Sequence, residues 1–90
     1  MLYMVIEEFK EGCASKIYRR FDEQGRMTPE GLTYINSWVD AEVTRCYQLM
    51  ECDDAKLLEE WTEQWSDLVD FEIVPLVSSE EAKTKALLGG

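Results

Sequence analysis

"SWVDAEVTRCYQLMEC", residues 37–52, decides how this chain folds. Val39, Thr44 and Tyr47 favour extended backbone, and the polar Asp40 and Glu42 interrupt them. The stretch therefore reads as the heart of a hairpin, with strands over residues 32–39 and 44–52. If Ala41 and Glu42 form the turn, Trp38 lies opposite Arg45, and Asn36 opposite Tyr47, on one face. Ser37 then pairs with Cys46, and Ile35 with Gln48, on the other.

Outward from the hairpin, each flank supplies one strand and one helix. Residues 2–9 form a β-rich run ending in charge. Residues 15–24 place Ile17, Tyr18 and Phe21 at helical spacing, and Gly25 stops that helix. Residues 26–31, with Pro29 and Gly31, read as a loop. Asp53 or Asp54 can cap a helix over residues 55–68, whose apolar stripe holds Leu57, Leu58, Trp61, Trp65 and Leu68. Residues 71–77 form the last strand, and Pro75 within it points to an edge or a bulge. Ser78 and Glu81 resemble a capping box opening a short terminal helix. The final Leu87-Leu88-Gly89-Gly90 is expected to fray.

The order β-α-β-β-α-β, with right-handed crossovers, predicts an α+β, ferredoxin-like fold. Four antiparallel strands form its sheet, and two helices cover one face. Residues 1–78 make a single domain, and residues 79–90 a short C-terminal helix or tail. Both faces of the strands are apolar: Met4 and Ile6 alternate with Tyr3 and Val5, and Leu49 with Met50. A sheet wet on one side alternates apolar with polar. The second face is therefore expected to pack on another copy of the chain, giving a homodimer.

Composition narrows the partners. At 90 residues, with 46% hydrophobic and 11% aromatic content, the chain is too apolar for disorder. Its net charge of −10 opposes binding to nucleic acid or anionic membrane, so neither is expected as a partner. No apolar run approaches the roughly 20 residues of a membrane span, and "MLYMVIEEF" lacks a basic leader, so a cytoplasmic protein is expected. Cys13, Cys46 and Cys52 are odd in number and lack a CxxC spacing, which fits reduced thiols. Histidine is absent, removing the commonest general base and zinc ligand. No P-loop, GxGxxG, GxSxG or HExxH pattern occurs. Neither a metal nor a cofactor is expected.

The remaining chemistry centres on the hairpin and the second helix. Arg45 is the only basic residue between Arg26 and Lys56. It can stack on Trp38, pair with a nearby acid, or anchor a ligand anion. Tyr34, Trp38, Tyr47, Trp61 and Trp65 are candidate pocket walls, with Asn36 and Arg45 as polar contacts. The indole N–H groups of Trp61 and Trp65 need partners, for which Tyr34, Asn36, Ser37 or Gln48 are candidates. Cys46 reads as a small core residue, since no histidine is present to activate it. Glu7 and Glu8 point to opposite faces and read as a solvated strand end, either one able to meet Arg45 across the sheet.

The segments "MLYMVIEEF", "IYRRFDEQGRMTPEGLTYINSWVD", "RCYQLMEC" and "WSDLVDFEIVPL" together resemble a family of short, mainly bacterial proteins, the domain of unknown function 3303. The resemblance covers roughly residues 1–77. It implies kinship with the dimeric α/β-barrel superfamily, in which two ferredoxin-like sheets pack face to face. That superfamily includes cofactor-free monooxygenases, isomerases, haem-degrading enzymes and effector-binding domains. Histidines common in several branches have no counterpart here, so no catalytic residue carries over. The resulting expectation is a small homodimeric binding module holding an aromatic or carboxylate ligand between sheet and helices. A cofactor-free monooxygenase or isomerase, or a purely structural dimerisation module, are the alternatives.

Overall fold

The computed structural model describes residues 1–89. Seven elements follow one another: β1 (Leu2–Phe9), α1 (Ala14–Gln24), β2 (Thr33–Val39), β3 (Arg45–Glu51), α2 (Lys56–Glu63), β4 (Val69–Leu76) and α3 (Ser79–Gly89). The strands form one antiparallel sheet in the order β2-β3-β1-β4. This is the ferredoxin-like layout expected from the element order, with β1 and β3 in the centre. Pro75 falls on the edge strand β4, where one side of the backbone needs no ladder partner.

The hairpin differs from its expected form. Residues 40–44 make the turn in place of a two-residue loop. The Asp40 carboxylate organises it, accepting from the Thr44 amide at 2.7 Å, the Thr44 hydroxyl at 2.6 Å and the Arg45 amide at 2.8 Å. Val43 completes the reversal at φ 58°. The longer turn slides the ladder by two residues, so Trp38 pairs with Tyr47, Ser37 with Gln48 and Val39 with Cys46. A slide of two keeps every side chain on its expected face. A bulge between Tyr34 and Asn36 breaks that parity and sends Tyr34 to the opposite face.

One face of the sheet carries the core. Val5 and Met50 pack there with Ile17 of α1 and Leu58 and Trp61 of α2. Each fully buried side chain of this size contributes about 1.5–3 kcal/mol of hydrophobic stabilisation. Helix α2 is shorter than its apolar stripe: regular helix ends at Glu63, and turns carry Trp65 and Leu68 onward into β4. The N-cap of α2 is Ala55, without a side-chain cap bond, in place of the expected Asp53 or Asp54; Asp54, one residue earlier, accepts the Lys56 amide at 3.0 Å in a local turn. Ser78 accepts the Glu81 amide at 3.1 Å, as a capping residue does. The terminal helix expected after residue 78 is present as α3 and includes Leu87, Leu88 and Gly89; Gly90 lies outside the described residues. All of α3 is exposed.

The opposite face carries Met4 and Ile6 of β1, Leu49 of β3 and Val74 of β4 side by side. These side chains remain partly exposed, and Trp38 beside them is 51% exposed. No helix among the described residues is long and apolar enough to cross a membrane.

Between α1 and β2 the chain bends sharply. Gly25 lies at φ 69°, ψ −163°, a region open essentially to glycine alone. Its amide closes α1 on the Phe21 carbonyl at 2.7 Å, and Met27 follows at φ 61°. Arg26 is thus held between two residues of positive φ. Gly25→Ala is expected to lower stability by about 1–3 kcal/mol in urea unfolding, since a Cβ cannot adopt this backbone without strain.

Candidate functional site

The two tryptophans of the α2 region place the site. Trp61 and Trp65 are both buried, and both indole N–H groups donate to one acceptor, the Arg26 carbonyl, at 2.9 and 3.1 Å. The partners expected from the sequence, among Tyr34, Asn36, Ser37 and Gln48, are therefore replaced by backbone. This double bond ties α2 to the loop after α1. The Arg26 side chain borders the cavity and lies against the Tyr34 ring.

From there a polar chain runs inward. Arg26 Nε donates to Gln48 Oε1 at 2.9 Å, and Gln48 Nε2 donates to Glu7 Oε2. The Arg26 guanidinium also lies 3.6 Å from the Tyr34 ring centroid, a cation–π contact. Tyr34 shares a 2.7 Å hydrogen bond with the Ser37 hydroxyl. The cluster adjoins a cavity of about 290 Å³ between sheet and helices. Glu7, Cys46 and Gln48 line its sheet side, while Ile17, Tyr18 and Phe21 come from α1 and Trp61 and Trp65 from the α2 side. Tyr18 and Phe21 are 42% and 37% exposed, so they stand at its rim.

Glu7 corrects the expectation of a solvated strand end. It is 6% exposed, because β1 is a central strand and residue 7 shares the face of Val5 beneath the helices. Burial pushes its carboxyl up to about 7, against the lowering effects of the Gln48 bond and the Arg26 charge. Burial likewise pushes the Cys46 thiol up to about 12, with the Glu7 charge adding to the effect. Cys46 therefore keeps its proton at neutral pH and is no thiolate nucleophile. All three cysteines are free. Among the described residues, no group of three or more His, Cys, Asp and Glu side chains is placed to hold a metal ion.

The residues expected to form one pocket are divided by the sheet. Trp61, Trp65 and Tyr34 lie on the helix side, the first two directly on the cavity. Asn36, Trp38, Arg45 and Tyr47 lie on the opposite face, set by the pairing of Trp38 with Tyr47 and Asn36 with Leu49. They cannot serve as walls or polar contacts of the cavity. Arg45 meets Glu8 at 3.6 Å, one of the two acids expected to reach it, and its charged form is favoured by Tyr47 and then by Glu8. The polar contacts of the cavity are Arg26, Gln48 and Glu7, which spacing alone did not single out. Shared parity with Val5 was the available signal for Glu7.

The buried carboxyl makes stability depend on pH. The folded-state value, about 7, lies above the ordinary 4.5. The associated stability is therefore present in full below about 4.5 and is lost as pH rises through about 7, with a size on the order of 3 kcal/mol. Glu7→Gln removes this dependence while keeping an acceptor for Gln48. Urea unfolding at pH 5 and pH 8 should show a smaller stability loss in the variant than in the natural protein.

Comparison with curated proteins and comparison with solved structures each return no match. The match comes at family level, over residues 1–87, and it spans every strand and helix that builds the cavity. The chain belongs to the family described as a domain of unknown function (DUF3303).

Proposed function

We propose that the protein is a small homodimeric binding module, working in the cytoplasm, that holds a small aromatic molecule between sheet and helices. One observation carries this reading: a cavity of about 290 Å³ has aromatic walls and closes on the chain Arg26–Gln48–Glu7, whose last two members are buried. Ligand sites are typically concave, apolar and furnished with few, well-placed polar groups. The volume is near the lower end of the usual range and suits a molecule of one or two rings. The acids Glu7 and Asp22 on the cavity oppose a carboxylate ligand and favour a neutral aromatic one. A purely structural module would have no use for an open cavity above a buried acid, which weighs against that alternative.

The second copy belongs on the open sheet face. Met4, Ile6, Leu49 and Val74 form an apolar strip there that water solvates poorly. Packing about a two-fold axis sets this strip against itself and needs no partner beyond the chain. It also leaves the cavity accessible, because that lies on the other side of the sheet.

Native mass spectrometry of gently purified protein should give a dimer carrying a discrete added mass. Leu49→Glu should give a monomer that retains the added mass; a monomeric natural protein would remove the dimer from the reading. Arg45→Ala should leave ligand binding unchanged, read as tryptophan quenching, because Arg45 is on the far face. Loss of binding in that variant would move the site to the other side of the sheet.

A further inference from the structure

We propose that Glu7 is a catalytic residue that takes a proton from the carbon beside the carbonyl of a small aromatic ketone seated in the cavity, and then returns it. The inference rests on the cavity being a ligand pocket and adds a reaction to that reading.

The geometry of the carboxyl is that of a general base held from behind. Oε2 is occupied by Gln48 Nε2, and Gln48 is itself fixed by Arg26. Oε1 has no hydrogen-bond partner among the described residues. It is not sealed in either, because no buried side-chain oxygen is left unpartnered. Glu7 lines the cavity, so this free oxygen is the one a substrate would meet. The side chains of Trp61, Trp65 and Phe21 offer flat surfaces to an aromatic ring. The Arg26 charge borders the same space, where negative charge on an enolate oxygen would develop.

Competing groups are poorly suited. The Cys46 thiol and the Tyr18 hydroxyl are both pushed upward by burial and hold their protons near neutrality. The chain has no histidine. Glu7, raised to about 7, has both of its forms populated near neutral pH, as a group that both accepts and returns a proton requires.

The step balances without a co-reactant. The C–H bond breaks and its electron pair becomes the carbon–carbon double bond of an enolate. The carbonyl π pair moves to oxygen, and the proton sits on Glu7 Oε1. After the proton on Glu7 has exchanged with water, return of a solvent proton to the same carbon gives isotope exchange; return to a conjugated carbon gives an isomerised alkene. Nothing is oxidised or reduced.

The test uses β-tetralone, with tetralin as its analogue lacking a carbonyl. Binding is read by tryptophan quenching, and exchange in heavy water of the C1 protons, which lie between ring and carbonyl, by NMR. The natural protein should bind both compounds and speed exchange of β-tetralone by about 100-fold or more over buffer. The rate should rise with pH through about 7. The charged and titratable groups facing Glu7 are Asp22 and Tyr18 of α1, Arg26 after it and Cys46 of β3; the α2 side and β4 present Trp61, Trp65 and Phe71. Glu7→Gln should still be quenched by β-tetralone at saturating concentration but leave exchange at the buffer rate, and Glu7→Asp should keep part of the acceleration. Binding without acceleration, or acceleration that survives in Glu7→Gln, overturns the proposal and leaves the pocket standing. Quenching by tetralin alone does the same. If neither compound quenches, the pocket reading falls and the proposal falls with it.

Discussion

The structure depends on one backbone carbonyl. The Arg26 C=O accepts both buried indole N–H groups, which otherwise would sit in the core without a partner. An unpaired buried donor costs about 1–3 kcal/mol, so two of them constrain the chain strongly. The loop must bring a carbonyl to that spot, and it does so through two residues at positive φ, Gly25 and Met27. The Arg26 side chain leaves from the same point of the loop. It reaches Gln48, and through Gln48 it orients Glu7.

That arrangement explains how an acid comes to lie under the helices of a small domain. An isolated carboxylate would be too costly there, and a neutral carboxyl without hydrogen bonds only somewhat less so. Gln48 provides the hydrogen bond, and Arg26 provides a nearby positive charge that lowers the penalty without cancelling it. The outcome is a carboxyl balanced between its two forms beside open space. A second strap, the forked Arg20–Asp67 pair at 2.8 and 2.6 Å, joins α1 to the turns after α2 and closes the helical layer from outside. Arg20 also lies 5.5 Å over the Trp65 ring, so one tryptophan is held from both sides.

Much of the fold was legible in the residues because its signals are local. The β-rich run in "MLYMVIEEF", helical spacing of Ile17 and Phe21, and the stripe through Trp61 and Trp65 each mark one element. The order of the elements then restricts the sheet to one layout. The candidate site was legible only by half. Trp61 and Trp65 were visible as large side chains on one helix face. Asn36, Trp38, Arg45 and Tyr47 shared a face, but which face was a matter of how the sheet is covered. Glu7 was misread because its chemistry resembles that of Glu8, its neighbour at a charged strand end.

The amino-acid order by itself determined the α+β class, the β-α-β-β-α-β succession, the acidic balance and the apolar character of both sheet faces, since propensity and periodicity act over a few residues. Only the tertiary structure decided that Arg45 sits away from the cavity and Glu7 within it, that a five-residue turn slides the hairpin by two, and that a bulge carries Tyr34 to Arg26. Each of these is a question of side and register. Strand residues alternate faces, so placing one strand against its neighbours settles the environment of every second side chain at once. Burial, and with it the ionisation of Glu7, follows from that placement and from no property of the glutamate alone.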